Sequence, residues 1–288
     1  MLSSYYNSFN MEIAAVLHIH RHTNLCIDTI DSIRGWVTKD VLAVVDGKYW
    51  KNWGEKAPLP ALKLEGFPHG LPVAGYRNFI LGLMHAVAIW PTADWYLHTE
   101  YDTLFTSDTF LEDLEAAGKR NVFCLGFDYR ENQYQLPLLE AMLKAKFNGT
   151  KYLIGCCHFY KGDFLRELAG QNFFARFLNL TNHFPPGIFP GFEGFCVMEH
   201  LLPTVADWMG GGVEGLAAWK GRTGYGQHKK YPVRFRPELD WQENYPEAAI
   251  MHSIKSLNNP LRNYHRNKRI KYGRSNEQSY QSKTTYAV

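Results

Sequence analysis

Two carboxylates stand one residue apart in the stretch WYLHTEYDTLF, where Glu100 and Asp102 flank Tyr101. The preceding residues 94 to 99 predict a strand, and side chains two positions apart on an extended segment point to the same side. Such a pair can hold a divalent cation through oxygen ligands, and the cation would neutralise a diphosphate. The triplet therefore predicts a metal site. The plainer alternative is a helix cap or a solvated turn.

Strands and helices alternate in the chain before this triplet. Residues 13 to 19 form a short apolar run, residues 25 to 36 predict a helix, and residues 41 to 47 are rich in β-branched side chains. Apolar residues recur at helical spacing from residue 75 to residue 90. Strand, helix and strand in succession predict an α/β fold with a mostly parallel central sheet, whose ligands bind at the carboxyl ends of the strands.

The second half of the chain predicts further elements of the same kinds. A helix is expected over residues 108 to 117 with Asp108 as its N-cap, followed by a strand over residues 122 to 127. Residues 152 to 159 predict one more strand, and a helix is expected to begin near Glu193, with Pro203 kinking or shortening it.

Residues 75 to 108 resemble the central signature of glycosyltransferase family 2 and related GT-A enzymes. In those enzymes an Arg-Asn pair opens a helix, and an apolar strand then leads to a DxD-type acidic motif. Arg77 and Asn78 match the pair, and Glu100 and Asp102 match the motif, with Glu in place of the usual first Asp. The resemblance implies a Rossmann-like GT-A fold. It also implies Mn²⁺- or Mg²⁺-dependent transfer of a sugar from a nucleotide-diphosphate sugar to an acceptor hydroxyl.

Outside this segment the resemblance is looser. It implies that His20 and Arg21, after the first strand, contact the donor nucleotide together with Tyr101. Asp46 matches the carboxylate that accepts hydrogen bonds from the base. The serine- and aspartate-rich continuation usual after that carboxylate is replaced by residues 47 to 50, GKYW, so the identity of the base does not carry over.

The late segment YPEAAIMHSIK resembles the part of these enzymes in which a strand delivers a histidine to the metal. His252 matches that histidine, and a neutral imidazole suits an oxygen-rich manganese site. An ordinary, partly buried histidine is the alternative. Lys255 and Arg262 follow on a segment able to supply positive charge to the diphosphate, whereas Arg266 is expected to belong to a solvated basic tail.

An inverting transfer needs a base to take the proton from the acceptor hydroxyl. In the related enzymes the base is a carboxylate at the start of a helix after the acidic motif. Glu193 is the first candidate, because a helix N-terminus favours the ionised carboxylate, and Glu199 is the second. The usual Glu-Asp pair is absent, and a retaining enzyme would not need Glu193 as a base.

The length predicts one large domain, and the resemblance implies that it is a GT-A-like catalytic domain over residues 1 to 265. Its nucleotide-binding half covers about residues 11 to 108 and its acceptor half about residues 109 to 255, and a polar, flexible tail follows over residues 266 to 288. The net charge of +3 is mild and concentrated near the C-terminus, which argues against a nucleic-acid partner.

The cysteines and the N-terminus bear on location. Five cysteines, including the adjacent Cys156 and Cys157, fit reduced thiols better than a disulfide framework. The first residues lack a basic segment leading into a long apolar run, so no integral membrane segment is expected. The expectation is a cytoplasmic protein, peripheral at a membrane if its acceptor is lipid-linked rather than a glycan or a protein.

Two other functions remain open. A nucleotidyltransferase shares the sheet and the metal-bound phosphates, but it normally carries a glycine-rich basic loop after the first strand, where this chain reads HIHRHTN. A non-catalytic carbohydrate-binding or scaffold protein with a GT-A fold would account for the altered acidic motif and the missing Glu-Asp pair.

Overall fold

The computed structural model describes residues 11–19, 23–53, 59–64, 72–132, 137–154, 157–182, 197–216, 233–235 and 249–274. Three of the candidate site residues, His20, Arg21 and Glu193, lie outside these ranges.

Short strands recur along the whole described chain. They are β1 (Ile13–Ile19), β2 (Asp40–Asp46), β3 (Ala61–Leu64), β4 (Trp95–Glu100), β5 (Leu104–Phe105), β6 (Val122–Gly126), β7 (Asp128–Asn132), β8 (Thr150–Ile154), β9 (Cys157–Lys161), β10 (Gly212–Gly215), β11 (Val233–Phe235) and β12 (Ile250–His252).

Helices connect most of these strands, and a 3₁₀ turn (Gly47–Tyr49) follows β2. The helices are α1 (Thr23–Trp36), α2 (Trp50–Trp53), α3 (Pro72–Ile89), α4 (Leu111–Gly118), α5 (Pro137–Leu143), α6 (Gly162–Gly170), α7 (Phe173–Asn182), α8 (Val197–Trp208) and α9 (Pro260–Lys271).

Within the described residues, a seven-stranded sheet runs in the order β10-β6-β9-β4-β1-β2-β3. β1 pairs parallel with β2 and β4, β2 with β3, and β6 with β10. β9 runs antiparallel to both of its neighbours, β4 and β6. The predicted α/β class, with a mostly parallel central sheet flanked by helices, is therefore confirmed.

Helices cover both faces of this sheet. Alternate residues of each strand point to opposite faces, and both sets are buried. Ala15 and Leu17 of β1 pack in one apolar cluster with α1 and α4. Ala14 and Val16 of the same strand pack in a second cluster with α3, α6 and α8. The result is a three-layer arrangement in which the carboxyl ends of the parallel strands share one edge.

Gly82 lets α3 approach the sheet closely. A Cβ atom at this position would lie 2.8 Å from Val16 Cγ1 and 2.9 Å from Val44 Cγ2, closer than carbon atoms tolerate. The absent side chain therefore determines how closely α3 packs over β1 and β2.

A smaller sheet of β11, β12 and β5 lies beside the main one. β12 pairs antiparallel with β5 and parallel with β11. The loop after β4 leads directly into β5, so this small sheet joins the C-terminal part of the chain to the carboxyl edge of β4.

The prediction that Asp108 caps a helix is wrong. α4 begins at Leu111, and its N-cap, Phe110, makes no side-chain capping hydrogen bond. The carbonyl of Asp108 accepts from the amide of Leu111 in a preceding turn, and its carboxylate lies 3.5 Å from Arg274 Nη1.

The single strand expected over residues 152 to 159 is divided in two. β8 ends at Ile154 and pairs with β7 in a separate two-stranded sheet, whereas β9 begins at Cys157 and enters the main sheet. The local pattern predicts extended backbone but does not determine which strands pair.

The boundary expected at residue 266 falls inside α9. This helix begins after Asn259, whose side chain accepts from the amide of Leu261, and Pro260 occupies its first turn. Arg266 is part of α9 and forms an ion pair with Asp28, its side chain only 17% exposed. The prediction of a solvated, flexible segment is therefore wrong for Arg266 and its helix, and residues 275–288 lie outside the described ranges.

Candidate metal centre

The acidic triplet lies where the strand order reverses. β2 and β3 lie on one side of β1, whereas β4 lies on its other side. The switch point therefore falls between β1 and β4. Open α/β sheets bind ligands outside the carboxyl ends of their strands at such a point. Glu100 ends β4 in register with His18 of β1, and Asp102 follows two residues later. Both predicted carboxylates therefore belong to the ligand-binding edge.

The small sheet brings His252 to the same edge. Met251 of β12 pairs with Leu104 of β5. The amide of Ile254 then donates to the carbonyl of Asp102 at 2.8 Å. Because the two segments run antiparallel, His252 lies beside Asp102.

Three side chains converge at this edge. His252 Nε2 lies 3.0 Å from Asp102 Oδ1 and 3.9 Å from Glu100 Oε2, and one ligand atom from each residue lies within 4.8 Å of the others. Asp102 is 2% exposed, and His252 is the described side chain that faces its Oδ1. Two carboxylates and one imidazole gathered at one buried point are ligand types that a divalent cation accepts, so this group fits a metal ion.

The electrostatics of His252 follow from its surroundings. Burial alone lowers the pKa of the imidazole, but the neighbouring carboxylates of Asp102 and Glu100 outweigh burial and raise the pKa to about 9. Without a metal the imidazolium compensates the carboxylates. A bound cation would take over that role and leave a neutral imidazole as a ligand.

Arg262 lies beneath the centre rather than facing a diphosphate. Its side chain is fully buried, and its Nη1 lies 2.8 Å from Asp28 Oδ2. Its other described hydrogen bonds end on the backbone carbonyls of Thr103 and Ile254. The expectation that Arg262 contacts the donor is therefore wrong, since its donors point into the protein.

Tyr101 is also buried away from the edge. The residue is 4% exposed and belongs to the apolar cluster on the α1 side of the sheet. This position does not support the expected contact of its ring with the donor. Lys255, by contrast, is exposed on the loop between β12 and α9, three residues after His252.

The other expected donor-binding residues occupy two elements. Asp46 ends β2 at the same edge as Glu100 and is largely buried. Arg77 and Asn78 lie in α3, where Arg77 Nη1 donates to the carbonyl of Leu178 in α7 at 3.3 Å and Asn78 is buried. Their contact with a nucleotide remains a prediction.

Glu199, the second candidate base, lies in the first turn of α8. Burial raises the pKa of the Tyr160 phenol, and the charges of Cys124 and Glu199 add to this rise. Glu199 is therefore near Tyr160 on the α8 side of the sheet and is not among the three converging side chains. A catalytic role for Glu199 remains a prediction.

A row of buried histidines was not foreseen from the sequence. His98 lies opposite His158 across β4 and β9, and its ring centroid is 4.6 Å from that of His18. His158 Nδ1 lies 3.0 Å from the Tyr160 hydroxyl. Burial, followed by the charges of His18 and His158, keeps the pKa of His98 well below its usual value, so this ring is neutral. Each histidine is the single one in a short, largely apolar strand, which is the available sequence signal.

No described helix has both the length and the apolar composition needed to cross a membrane. The cysteines within the described ranges are Cys26, Cys124 and Cys157. None of these three forms a disulfide.

Neither known protein families nor curated proteins match this sequence. Among solved structures, the chain is similar to a glycosyltransferase involved in the glycosylation of the major capsid of PBCV-1. That similarity has a TM-score of 0.44 and 12% identity, and it covers 88% of this chain and 98% of the other. The chain is also similar to S. aureus TarS, with a TM-score of 0.33, 12% identity and coverage of 55% of this chain and 29% of the other. Neither similarity assigns a role to a residue of this chain.

Proposed function

We propose that the protein is a metal-dependent glycosyltransferase that moves a sugar from a nucleotide-diphosphate sugar to an acceptor hydroxyl. The observation that carries this proposal is the convergence of Glu100, Asp102 and His252 at the switch point of the sheet. A cation at that point would meet the phosphates of a nucleotide bound across the carboxyl ends of β1, β2 and β4.

The ligand types favour Mn²⁺ or Mg²⁺, which bind carboxylate oxygens, and the imidazole of His252 favours Mn²⁺. When bound, the ion would stabilise the charge that develops on the departing nucleoside diphosphate. Glu100 and Asp102 hold the ion in this proposal. Lys255, exposed on the loop after His252, supplies further positive charge to the phosphates.

Nucleotide recognition is assigned to the neighbouring strand ends. Asp46 accepts hydrogen bonds from the base in this proposal, and Arg77, Asn78, His20 and Arg21 complete the donor site. Asp46 ends β2, one strand beyond β1, so a nucleotide extending from the metal across β1 would bring its base to this carboxylate.

Inversion requires a base on the acceptor side. Glu193 is our first assignment and Glu199 our second, and Glu193→Gln is expected to reduce transfer while leaving nucleotide affinity unchanged. The acceptor class we propose is a glycan, a lipid-linked sugar or a protein hydroxyl. For a lipid-linked acceptor the enzyme would work at a membrane surface, and otherwise in the cytoplasm.

The test is a screen of nucleotide sugars with the full chain and Mn²⁺. Thermal stabilisation and donor hydrolysis are measured for UDP- and GDP-sugars in the unsubstituted protein and in the double variant Glu100→Ala, Asp102→Ala. The matched control is Asp163→Ala, Glu167→Ala, which removes two exposed carboxylates from α6, whose first residue contacts the opposite end of β4.

We expect metal-dependent stabilisation and hydrolysis that persist in the control and disappear in the site variant. Stabilisation by a nucleotide sugar without hydrolysis or transfer would favour a carbohydrate-binding or scaffold protein. Release of pyrophosphate from a nucleoside triphosphate would favour a nucleotidyltransferase. The absence of any response to a nucleotide would refute the proposal.

A further inference from the structure

The loop that carries Asp102 is held from the side of α1. The hydroxyl of Thr29, a fully buried residue of this helix, lies 2.5 Å from the carbonyl oxygen of Tyr101 and 3.0 Å from that of Thr103. These carbonyls belong to the residues on either side of Asp102. One threonine thus restrains the backbone of the loop at both neighbours of a proposed metal ligand.

Arg262 connects this loop to the segment that carries His252. Its Nη2 donates to the carbonyl of Thr103 at 3.2 Å, and its Nε donates to the carbonyl of Ile254 at 3.1 Å. Thr103 follows Asp102 directly, and Ile254 lies two residues after His252. Because the guanidinium is planar and its donors have a fixed geometry, one side chain sets the spacing of the two segments.

Asp28 fixes the guanidinium in turn. The Asp28 and Arg262 side chains are both fully buried, and Arg262 Nη1 lies 2.8 Å from Asp28 Oδ2. Arg266 and Arg269, one and two turns along α9, also pair with Asp28. The other described hydrogen bonds of Arg266 end on the carbonyl of Leu257 and on the side chain of Asn263 in α9. Neither acceptor belongs to the Asp102 loop or to the residues directly after His252.

We propose that Arg262 is a positioning residue of the metal centre, which brings the Asp102 loop and the His252 segment to the separation that a shared cation requires. Thr29 assists it by restraining the same loop. The inference rests on the proposed function, since it assumes that the centre binds a metal ion. Groups that orient metal ligands typically change metal affinity by about 10- to 100-fold when they are altered.

A purely structural role gives a different expectation. If Arg262 served only to dock α9 on α1, then Arg266, which pairs with the same carboxylate from the same helix, would be a contact of the same kind, although less buried. Lysine keeps the charge at either position but cannot donate in two directions from one plane. Arg262→Lys should therefore affect the metal centre, whereas Arg266→Lys should not.

The experiment measures the binding of Mn²⁺ alone to the full chain, from the loss of the electron paramagnetic resonance signal of free Mn²⁺. We expect Arg262→Lys to weaken binding about tenfold or more and Arg266→Lys to leave it within about twofold of the unsubstituted protein. Equal weakening in both variants, or none in Arg262→Lys, would overturn the inference. Circular dichroism and thermal unfolding establish that each variant is folded.

A second pair covers the case in which Arg262→Lys fails to fold. Thr29→Val removes the hydroxyl at nearly constant volume, whereas Thr29→Ser retains it. Weaker Mn²⁺ binding in Thr29→Val with near-normal binding in Thr29→Ser supports positioning through the loop carbonyls. The same affinity in both variants counts against it.

The two proposals fail in different ways. If the unsubstituted protein does not bind Mn²⁺, the metal-dependent function fails. The imidazole resonances of His252 in the metal-free protein, assigned by their loss in His252→Gln, then test positioning separately. They should shift in Arg262→Lys and remain in place in Arg266→Lys, and unchanged resonances in both variants would refute the positioning role.

Discussion

His252 Nε2 lies 3.0 Å from Asp102 Oδ1, although the two residues come from opposite halves of the chain. Both side chains are buried, and the histidine also faces Glu100. Two carboxylates and one imidazolium leave a net negative charge at this point, and a divalent cation that leaves the imidazole neutral would balance the two carboxylates. The pair of Asp102 and His252 therefore stabilises the metal-free protein, and its charge changes when a metal ion binds.

In the metal-free protein, Asp102→Asn should lower the free energy of unfolding by about 3 kcal/mol near neutral pH, because it removes one partner of a buried ion pair. Urea unfolding in the presence of a chelator measures this loss. Asp163→Asn, which alters an exposed pair with Arg166, should change stability by less than about 1 kcal/mol. Similar losses in the two variants would contradict the buried pair.

Nucleotide binding and metal binding should be separable. Asp46 ends β2 and is not one of the three clustered ligands. We expect Asp46→Ala to weaken nucleoside diphosphate binding about tenfold, the effect of roughly one lost charge-assisted hydrogen bond. Isothermal titration with UDP and with GDP checks this. Mn²⁺ affinity in the absence of nucleotide should be unchanged, and a parallel loss of Mn²⁺ affinity would argue against Asp46 as a base-recognition residue.

The fold and the acidic part of the site could be predicted because their signals are local. Strand periodicity and the position of Glu100 at the end of β4 are read within one short segment, and open sheets bind ligands at that edge. His252 was predicted from a family resemblance. Its approach to Asp102 depends on the pairing of β12 with β5, which composition does not encode.

The supporting residues could not be predicted for a related reason. The basic stretch around Arg262 predicts a side chain that is free to bind a phosphate. Only the packing of α9 against α1 brings it to Asp28. The polar residues Asp28, Thr29 and Ser32, all buried within one helix, were the available sequence signal. The antiparallel orientation of β9 could not be predicted either, because it depends on pairing with β4 and β6, which are distant in the sequence.

Gly82 provides a test of how closely α3 packs against β1 and β2, two strands whose carboxyl ends form the ligand-binding edge. Replacing it with alanine should destabilise the protein by about 1 to 3 kcal/mol through overpacking against Val16 and Val44, even though alanine favours a helix over glycine by about 1 kcal/mol. Gly170 is the matched control, since a Cβ there meets nothing within 4 Å. Urea unfolding should show loss of stability in Gly82→Ala and little change in Gly170→Ala. Comparable stability in both would mean that α3 moves away at little cost.

The acid sensitivity of the fold should depend partly on His265 in α9. Burial, together with the charges of Lys268 and Arg269, lowers the pKa of this imidazole to about 3, while Asp28 acts weakly in the opposite direction. The folded protein therefore keeps His265 neutral where the unfolded chain protonates it. The stability that this depressed pKa contributes is fully present above about pH 6.5, the unfolded value, and is lost progressively as the pH falls towards about 3.

Between about pH 7.5 and about pH 5.5, this one group should cost about 1.4 kcal/mol of unfolding free energy. His265→Gln removes the titration, so its stability should fall by that much less over the same interval. The measurement is urea unfolding at both pH values, with His85→Gln, a partly exposed histidine of α3, as the matched control. His85→Gln should retain the pH dependence of the unsubstituted protein. If His265→Gln retains it as well, the imidazole must already be protonated in the folded state or exposed to solvent.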